Sequence, residues 1–194
     1  MATFPEDISV KDFFLNEVPK IFEEGAQKVK TEELAGTEFT VQFNITGEGG
    51  GNYALKITDG KNLEIIEGGV EKPNILIELN EKDWRDSITG KVPGVMDQMT
   101  NVEQIGGGKE QLNTVKNVAG SLNLELTRGD QEPFKVKMVF NGSETPSVSL
   151  KMALDDYIKM VKKEVSGPDL FMSGKMSFEG DMTLLLQLQN IIGA

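Results

Sequence analysis

A chain of 194 residues is long enough for one sizeable domain or two small ones, and a hydrophobic content of 38% suits a packed core rather than disorder. Acidic residues outnumber basic ones by 31 to 20, and the resulting net charge of −11 makes nucleic acid and anionic membrane surfaces poor partners. With neither cysteine nor histidine, the sequence excludes disulfides, thiolate catalysis, Cys-ligated metals and every Ser-His or Cys-His nucleophile, and it shows no cofactor or metal motif.

Near the start, Ser9 and Asp12 form a capping box that uses Asp in place of Glu. Val10, Phe13, Phe14, Val18, Ile21 and Phe22 follow at helical spacing, predicting an amphipathic helix that Pro19 kinks or splits. Phe39, Val41, Phe43 and Ile45 alternate with polar residues as a half-buried strand does. After a loop over 47–52, Tyr53 to Ile57 is a second strand, Asp59-Gly60 a tight hairpin turn and Leu63 to Ile66 a third strand. Ile75, Ile77 and Leu79 alternate as a fourth, which runs into a short helix holding Trp84 and Ile88.

This unit returns at a constant offset, 146 − 73 = 73 residues: Pro73, Ile75, Ile77, Leu79, Asp83, Trp84 and Ile88 match Pro146, Val148, Leu150, Met152, Asp156, Tyr157 and Val161. Leu122, Leu124 and Leu126, then Phe134, Val136 and Met138, supply alternating strands ahead of the second copy. A strand-strand-strand-helix unit made twice, over 37–91 and 119–165, is therefore expected. Between the copies, Met96, Met99, Val102 and Ile105 suggest a helical turn or two. Gly106-Gly107-Gly108 suggests a hinge or linker, and Leu112, Val115 and Val118 suggest another helix. The glycines do not make a P-loop, because Gly108-Lys109-Glu110 lacks the hydroxyl residue that follows the lysine there.

The closing segment reads as an apolar triplet, Leu170-Phe171-Met172, a strand alternating Met176 and Phe178 with polar residues, a Gly-Asp turn and a last helix. On that helix Met182, Leu184, Leu185, Leu186, Leu188, Ile191 and Ile192 spread over roughly 220°, against the ~100° stripe an ordinary surface helix buries. A second layer of the chain, a partner subunit or an apolar ligand must shield the remainder.

From Phe171-Met172-Ser173-Gly174-Lys175-Met176 through Gly180-Asp181-Met182 to Leu188-Gln189-Asn190, the segment resembles the closing signature of the sterol carrier protein type 2 family. Asp59-Gly60-Lys61 and the stretch from Leu76 to Lys91, with Asp83, Trp84 and Thr89-Gly90-Lys91, resemble the middle of that family, and with the N-terminal helix the likeness covers about two thirds of the chain. In the family the Thr-Gly-Lys helix end lies a few residues before the closing strand, whereas here about eighty residues, 92–170, intervene. They either enlarge the sheet and widen a cavity, or fill it.

The resemblance implies an α+β fold in which a curved, mainly antiparallel sheet packs against helices, here as a single domain over 1–194 extended by the inserted repeat. It also implies non-catalytic binding and transfer of a sterol, fatty acid or acyl-CoA in an apolar tunnel. Its walls are expected to include Trp84, Tyr157, Phe171, Met172, Met176, Phe178, Met182, Leu185, Leu186 and Leu188. The rival expectation is a homodimer that buries the last helix in a subunit interface with no ligand. Adjacent Asp155-Asp156 and Glu23-Glu24 point about 100° apart on a helix and do not converge as acid-base pairs. Arg128-Gly129-Asp130 falls at a hairpin turn and makes a poor adhesion motif. Without a ~20-residue apolar run or a leader-like start, a cytoplasmic protein with no stable membrane insertion is expected.

Overall fold

A computed structural model describes residues 4–27, 31–93 and 109–192. Ser9 Oγ accepts from Asp12 N at 3.0 Å and opens α1 (Val10–Asp12). The helix widens into a π turn at Phe13–Glu17 and resumes as α2 (Val18–Ala26). Pro19 sits in the first turn of α2, directly after the π turn, so the irregularity in the helix falls just ahead of it. A short 3₁₀ turn at Thr31–Leu34 leads to β1 (Glu38–Thr46), β2 (Gly51–Thr58) and β3 (Asn62–Glu67). The β2–β3 hairpin turns at Asp59 and Gly60, both at positive φ (56° and 65°), and Asp59 Oδ1 accepts from Gly36 N at 2.7 Å.

β4 (Ile75–Asn80) runs into α3 (Glu81–Ile88), capped by Asn80. After α4 (Lys109–Asn117) come β5 (Gly120–Arg128), β6 (Gln131–Phe140), β7 (Ser147–Ala153) and α5 (Leu154–Val161). The chain closes with α6 (Gly167–Met172), β8 (Met176–Gly180) and α7 (Met182–Ile192). The helical residues predicted at 96–105 and the hinge glycines 106–108 lie outside the described residues.

All eight strands join one sheet in the order β3-β2-β1-β4-β6-β5-β7-β8. Five of the pairings are antiparallel, while β1–β4 and β5–β7 are parallel, so the fold is α+β with a mainly antiparallel open sheet. The intervening residues enlarge the sheet: β6 joins β4 edge to edge, with Ile77 opposite Met138. Register is alike on the two sides of that seam. Phe43 lies between Tyr53 and Ile77, and Leu124 between Val136 and Leu150.

The apolar faces of β1, β4, β5, β6 and β7 and the inward residues of the helices make one contiguous core, with Phe13, Phe14, Trp84, Leu112, Tyr157 and Leu188 among its helical members. Burying each such side chain contributes about 1.5–3 kcal/mol. A buried ion cluster ties α3 to the β5–β6 hairpin: Arg128 Nη2 meets Asp83 Oδ1 at 3.0 Å and Nη1 meets Asp86 Oδ2 at 2.6 Å, with the arginine and Asp83 side chains only 7% and 3% exposed. Asp83 Oδ2 also accepts from Lys135 N and from Asn80 Nδ2. Arg128 is therefore held in the interior, so the Arg-Gly-Asp triplet serves packing.

Candidate functional site

Ser166 and Asp169 form a reciprocal capping box with Pro168 in the first turn, and this starts α6. Leu170-Phe171-Met172 looks in sequence like no more than an apolar triplet, but Ser166-x-x-Asp169 with Pro168 is the start signal of a helix. Within it Leu170 is buried, while Phe171 and Met172 turn outward. β8 follows, pairing Met176 with Met152 and Phe178 with Leu150, so both side chains share the sheet's apolar face, where each is partly buried against the core. The Phe171 ring lies 5.3 Å from that of Phe178, joining α6 to the strand. Asp181 Oδ1 accepts from Leu184 N at 2.7 Å and starts α7.

α7 buries Leu184, Leu185 and Leu188 against the sheet and α4. Gly120 lets it approach: at φ +141°, a Cβ there would stand 2.7 Å from Leu184 Cδ2 and 2.5 Å from the Pro146 carbonyl oxygen. Met182 and Leu186 on the same helix stay open. Phe171, Met172, Met182 and Leu186 are 48%, 85%, 49% and 55% exposed, and they are the large apolar side chains left in solvent among the described residues. Two of the four stand on α6 and two on α7, all within sixteen positions of the chain, whereas folded proteins usually scatter such residues singly.

Trp84 and Tyr157 occupy equivalent places on α3 and α5, each helix following a strand parallel to its neighbour, and both are buried in the core. Trp84 packs 5.5 Å from Phe13 at near-perpendicular inclination. Its Nε1 is buried without an acceptor, alone in this among the side-chain polar atoms of the described residues.

A groove of about 630 Å³ lies over β4–β8. Its walls include Glu78 and Asn80, Asn123 and Glu125, Lys135 and Lys137, Ser149 and Lys151, then Ser177 and Glu179. These polar positions alternate with Leu124, Val136 and Leu150, which also border the groove and whose side chains belong to the core, so its charged walls lie on the face away from the helices. Of the ten residues expected from sequence to wall a tunnel, Phe178 alone lines this groove. Its charges are paired: Lys151 meets Glu125 at 2.7 Å, Lys135 meets Glu125 at 3.7 Å, and Lys137 meets Glu78 at 3.4 Å. The hydrogen bond from Lys151 holds the Glu125 carboxyl below its ordinary range, and that from Lys137 to Glu144 raises the lysine above its own. Strand alternation was visible in the sequence, but the groove depends on which strands become neighbours.

Among the described residues, no group of three or more carboxylates is arranged to hold a metal ion, and no helix is long and apolar enough to cross a membrane.

Residues 101–193 match the family model described as the SCP-2 sterol transfer family. No curated protein matches the chain. Among solved structures it is similar to the stereoselective inverting sec-alkylsulfatase Pisa1 from Pseudomonas sp., with 10% identity and a TM-score of 0.26 over 89% of this chain, and it spans 16% of that enzyme's length. It is similar also to sterol carrier protein 2 like 2 from Aedes aegypti, with 11% identity and a TM-score of 0.25 over 93% of this chain and 98% of that one. The sterol carrier protein domain 2 of Helicoverpa armigera is similar at 15% identity and a TM-score of 0.24, over 100% of this chain and 92% of that one. By its closing motifs and by the match over residues 101–193, the chain resembles the SCP-2 sterol transfer family of lipid-binding domains.

Proposed function

We propose that the chain binds and carries hydrophobic small molecules of the sterol, fatty acid or fatty acyl-CoA class, without catalysis. The observation behind this reading is the set of solvent-facing apolar side chains at Phe171, Met172, Met182 and Leu186, all inside the segment that the family model covers. An apolar guest gains about 25 cal/mol for each Å² of apolar surface it removes from water, and needs no reactive group to do so. In this reading Trp84, Tyr157, Met176, Phe178, Leu185 and Leu188 contribute inner walls, and the four exposed residues line the way in. The chain then acts as one domain, 1–194, in which 37–91 and 119–165 are repeats, and it works in the cytoplasm. Matching register on the two sides of the β4–β6 seam supports the repeat.

The same four side chains favour one alternative, a homodimer that buries them against a second copy. Delipidated protein titrated with a fluorescent fatty acid distinguishes the readings. The carrier predicts a saturable response near one equivalent and a lipid retained in native mass spectrometry. A lipid-free dimer with no saturable response rejects the carrier and supports the interface.

A further inference from the structure

Trp84 Nε1 is a donor buried without an acceptor, and leaving such a donor unpaired costs about 1–3 kcal/mol. Folded proteins pair more than nine in ten of their buried polar groups, so an exception calls for a cause. The neighbours offer no acceptor: Phe13 lies edge-on at 5.5 Å, and Phe4 packs 5.1 Å from Phe13 in turn. The Arg85 guanidinium, itself only a donor, lies 5.2 Å from the centroid of the indole ring.

The N-terminal residues 4–9 form a strap along α3, the helix that bears Trp84. Phe4 N donates to the Ile88 carbonyl at 3.2 Å, and the Arg85 guanidinium donates to the carbonyls of Glu6 and of Ile8, the latter at 2.9 Å. Glu6 pairs with Lys91 at 2.8 Å in solvent. Exposed ion pairs contribute little, and beyond these bonds the strap is held by Phe4 and Ile8 at the margin of the core, so this terminal segment opens at less than the global unfolding free energy. Phe13, the residue between Phe4 and the indole, begins the π turn, where the helix leaves its regular register.

We propose that the indole N–H of Trp84, beside this displaceable strap, is the donor that receives the polar head of the carried molecule. The ligand is then an amphiphile with a long apolar body and one acceptor head, either a fatty acid carboxyl or a sterol hydroxyl. This rests on the carrier reading and adds to it the polar end of the site.

The chain has a single tryptophan, so its indole gives one cross-peak in a spectrum of the ¹⁵N-labelled, delipidated protein. Palmitic acid, cholesterol and hexadecane are delivered separately from cyclodextrin, with native mass spectrometry counting the bound equivalents. A downfield shift and slowed solvent exchange of the indole proton with palmitic acid identify a carboxyl head. The same response with cholesterol alone identifies a hydroxyl head, and hexadecane produces neither response. Trp84→Phe removes the donor and weakens binding of the responding ligand about tenfold more than it weakens binding of hexadecane, the difference being the worth of one hydrogen bond. If that variant does not fold, the spectrum of the unaltered protein decides alone. One bound equivalent of palmitic acid or cholesterol with an unmoved indole proton overturns the proposal and leaves the carrier reading standing. No bound ligand of the three overturns both.

Discussion

Arg128 reaches from the β5–β6 hairpin into α3 and meets two carboxylates with the fork of one guanidinium, while its Nε donates to the Glu132 carbonyl at 2.9 Å. A cluster so little exposed contributes less than its contacts suggest, because three ions gave up hydration to form it, yet removing one partner strands the others. Arg128→Ala is expected to destabilise the protein by about 3–5 kcal/mol in urea denaturation, and a loss under about 1 kcal/mol refutes the assignment. Arg128→Lys keeps the charge without the fork and falls between the two. Glu125 offers the opposite case on the groove side, where solvent screens the pairs. Its carboxyl is held below the ordinary value of 4.5, chiefly by the hydrogen bond from Lys151. Because the folded-state value is depressed, the contribution to stability is present above the unfolded-state value and is lost as pH falls through the folded one. Lys151→Ala should move the Glu125 titration midpoint, followed by NMR, back upward, and an unchanged midpoint shows that the pair does not hold it.

α7 shows what an element can and cannot announce in its own sequence. Its wide apolar arc was plain from spacing alone, and the split between a buried side at Leu184, Leu185 and Leu188 and an open side at Met182 and Leu186 came only with the elements around it. Changing Met182 and Leu186 together to Gln is expected to shift stability by less than about 0.5 kcal/mol, since both face solvent, while reducing retained lipid in native mass spectrometry. A large stability loss instead means that these side chains pack inside the fold in solution. Gly120→Ala tests the seat of the helix: its Cβ meets the Pro146 carbonyl and Leu184 at a backbone angle that disfavours side chains, so a loss of about 1–3 kcal/mol in thermal unfolding is expected. A variant as stable as the parent removes the close approach from the account. The strands were legible because period-two alternation at Phe39–Ile45, Leu122–Leu126 and Val148–Met152 depends only on which face is buried. The groove was not, because Glu78 and Lys137 approach each other only once β6 settles beside β4, a choice made by long-range pairing. For the same reason Arg128 read as part of a turn motif, and its partners on α3 were hidden.

At the scale of the whole molecule, the β4–β6 seam decides whether the chain behaves as one unit or two. Two weights lie across it: the backbone ladder from Ile75–Phe140 to Glu78–Lys137, and the Arg128 cluster that bolts α3 to the hairpin beyond. The core runs through the same boundary, since Trp84 and Phe43 on one side belong to the same apolar cluster as Leu124 and Tyr157 on the other. Neither half buries its seam strand without the other, so the halves should unfold together, as small single domains do. Trp84 lies in the N-terminal half and is the sole tryptophan, so its fluorescence reports that side, while far-UV circular dichroism reports both. In urea the two signals are expected to trace one transition with a common midpoint. In Arg128→Ala the midpoint should fall while the curves remain superimposed, provided that the ladder and core still couple the halves. Fluorescence and dichroism curves separating in the unaltered protein would mean that the seam is weaker than its contacts and that the two register-matched units are independent domains. Separation only in the variant would assign the coupling to the ion cluster rather than to the strands.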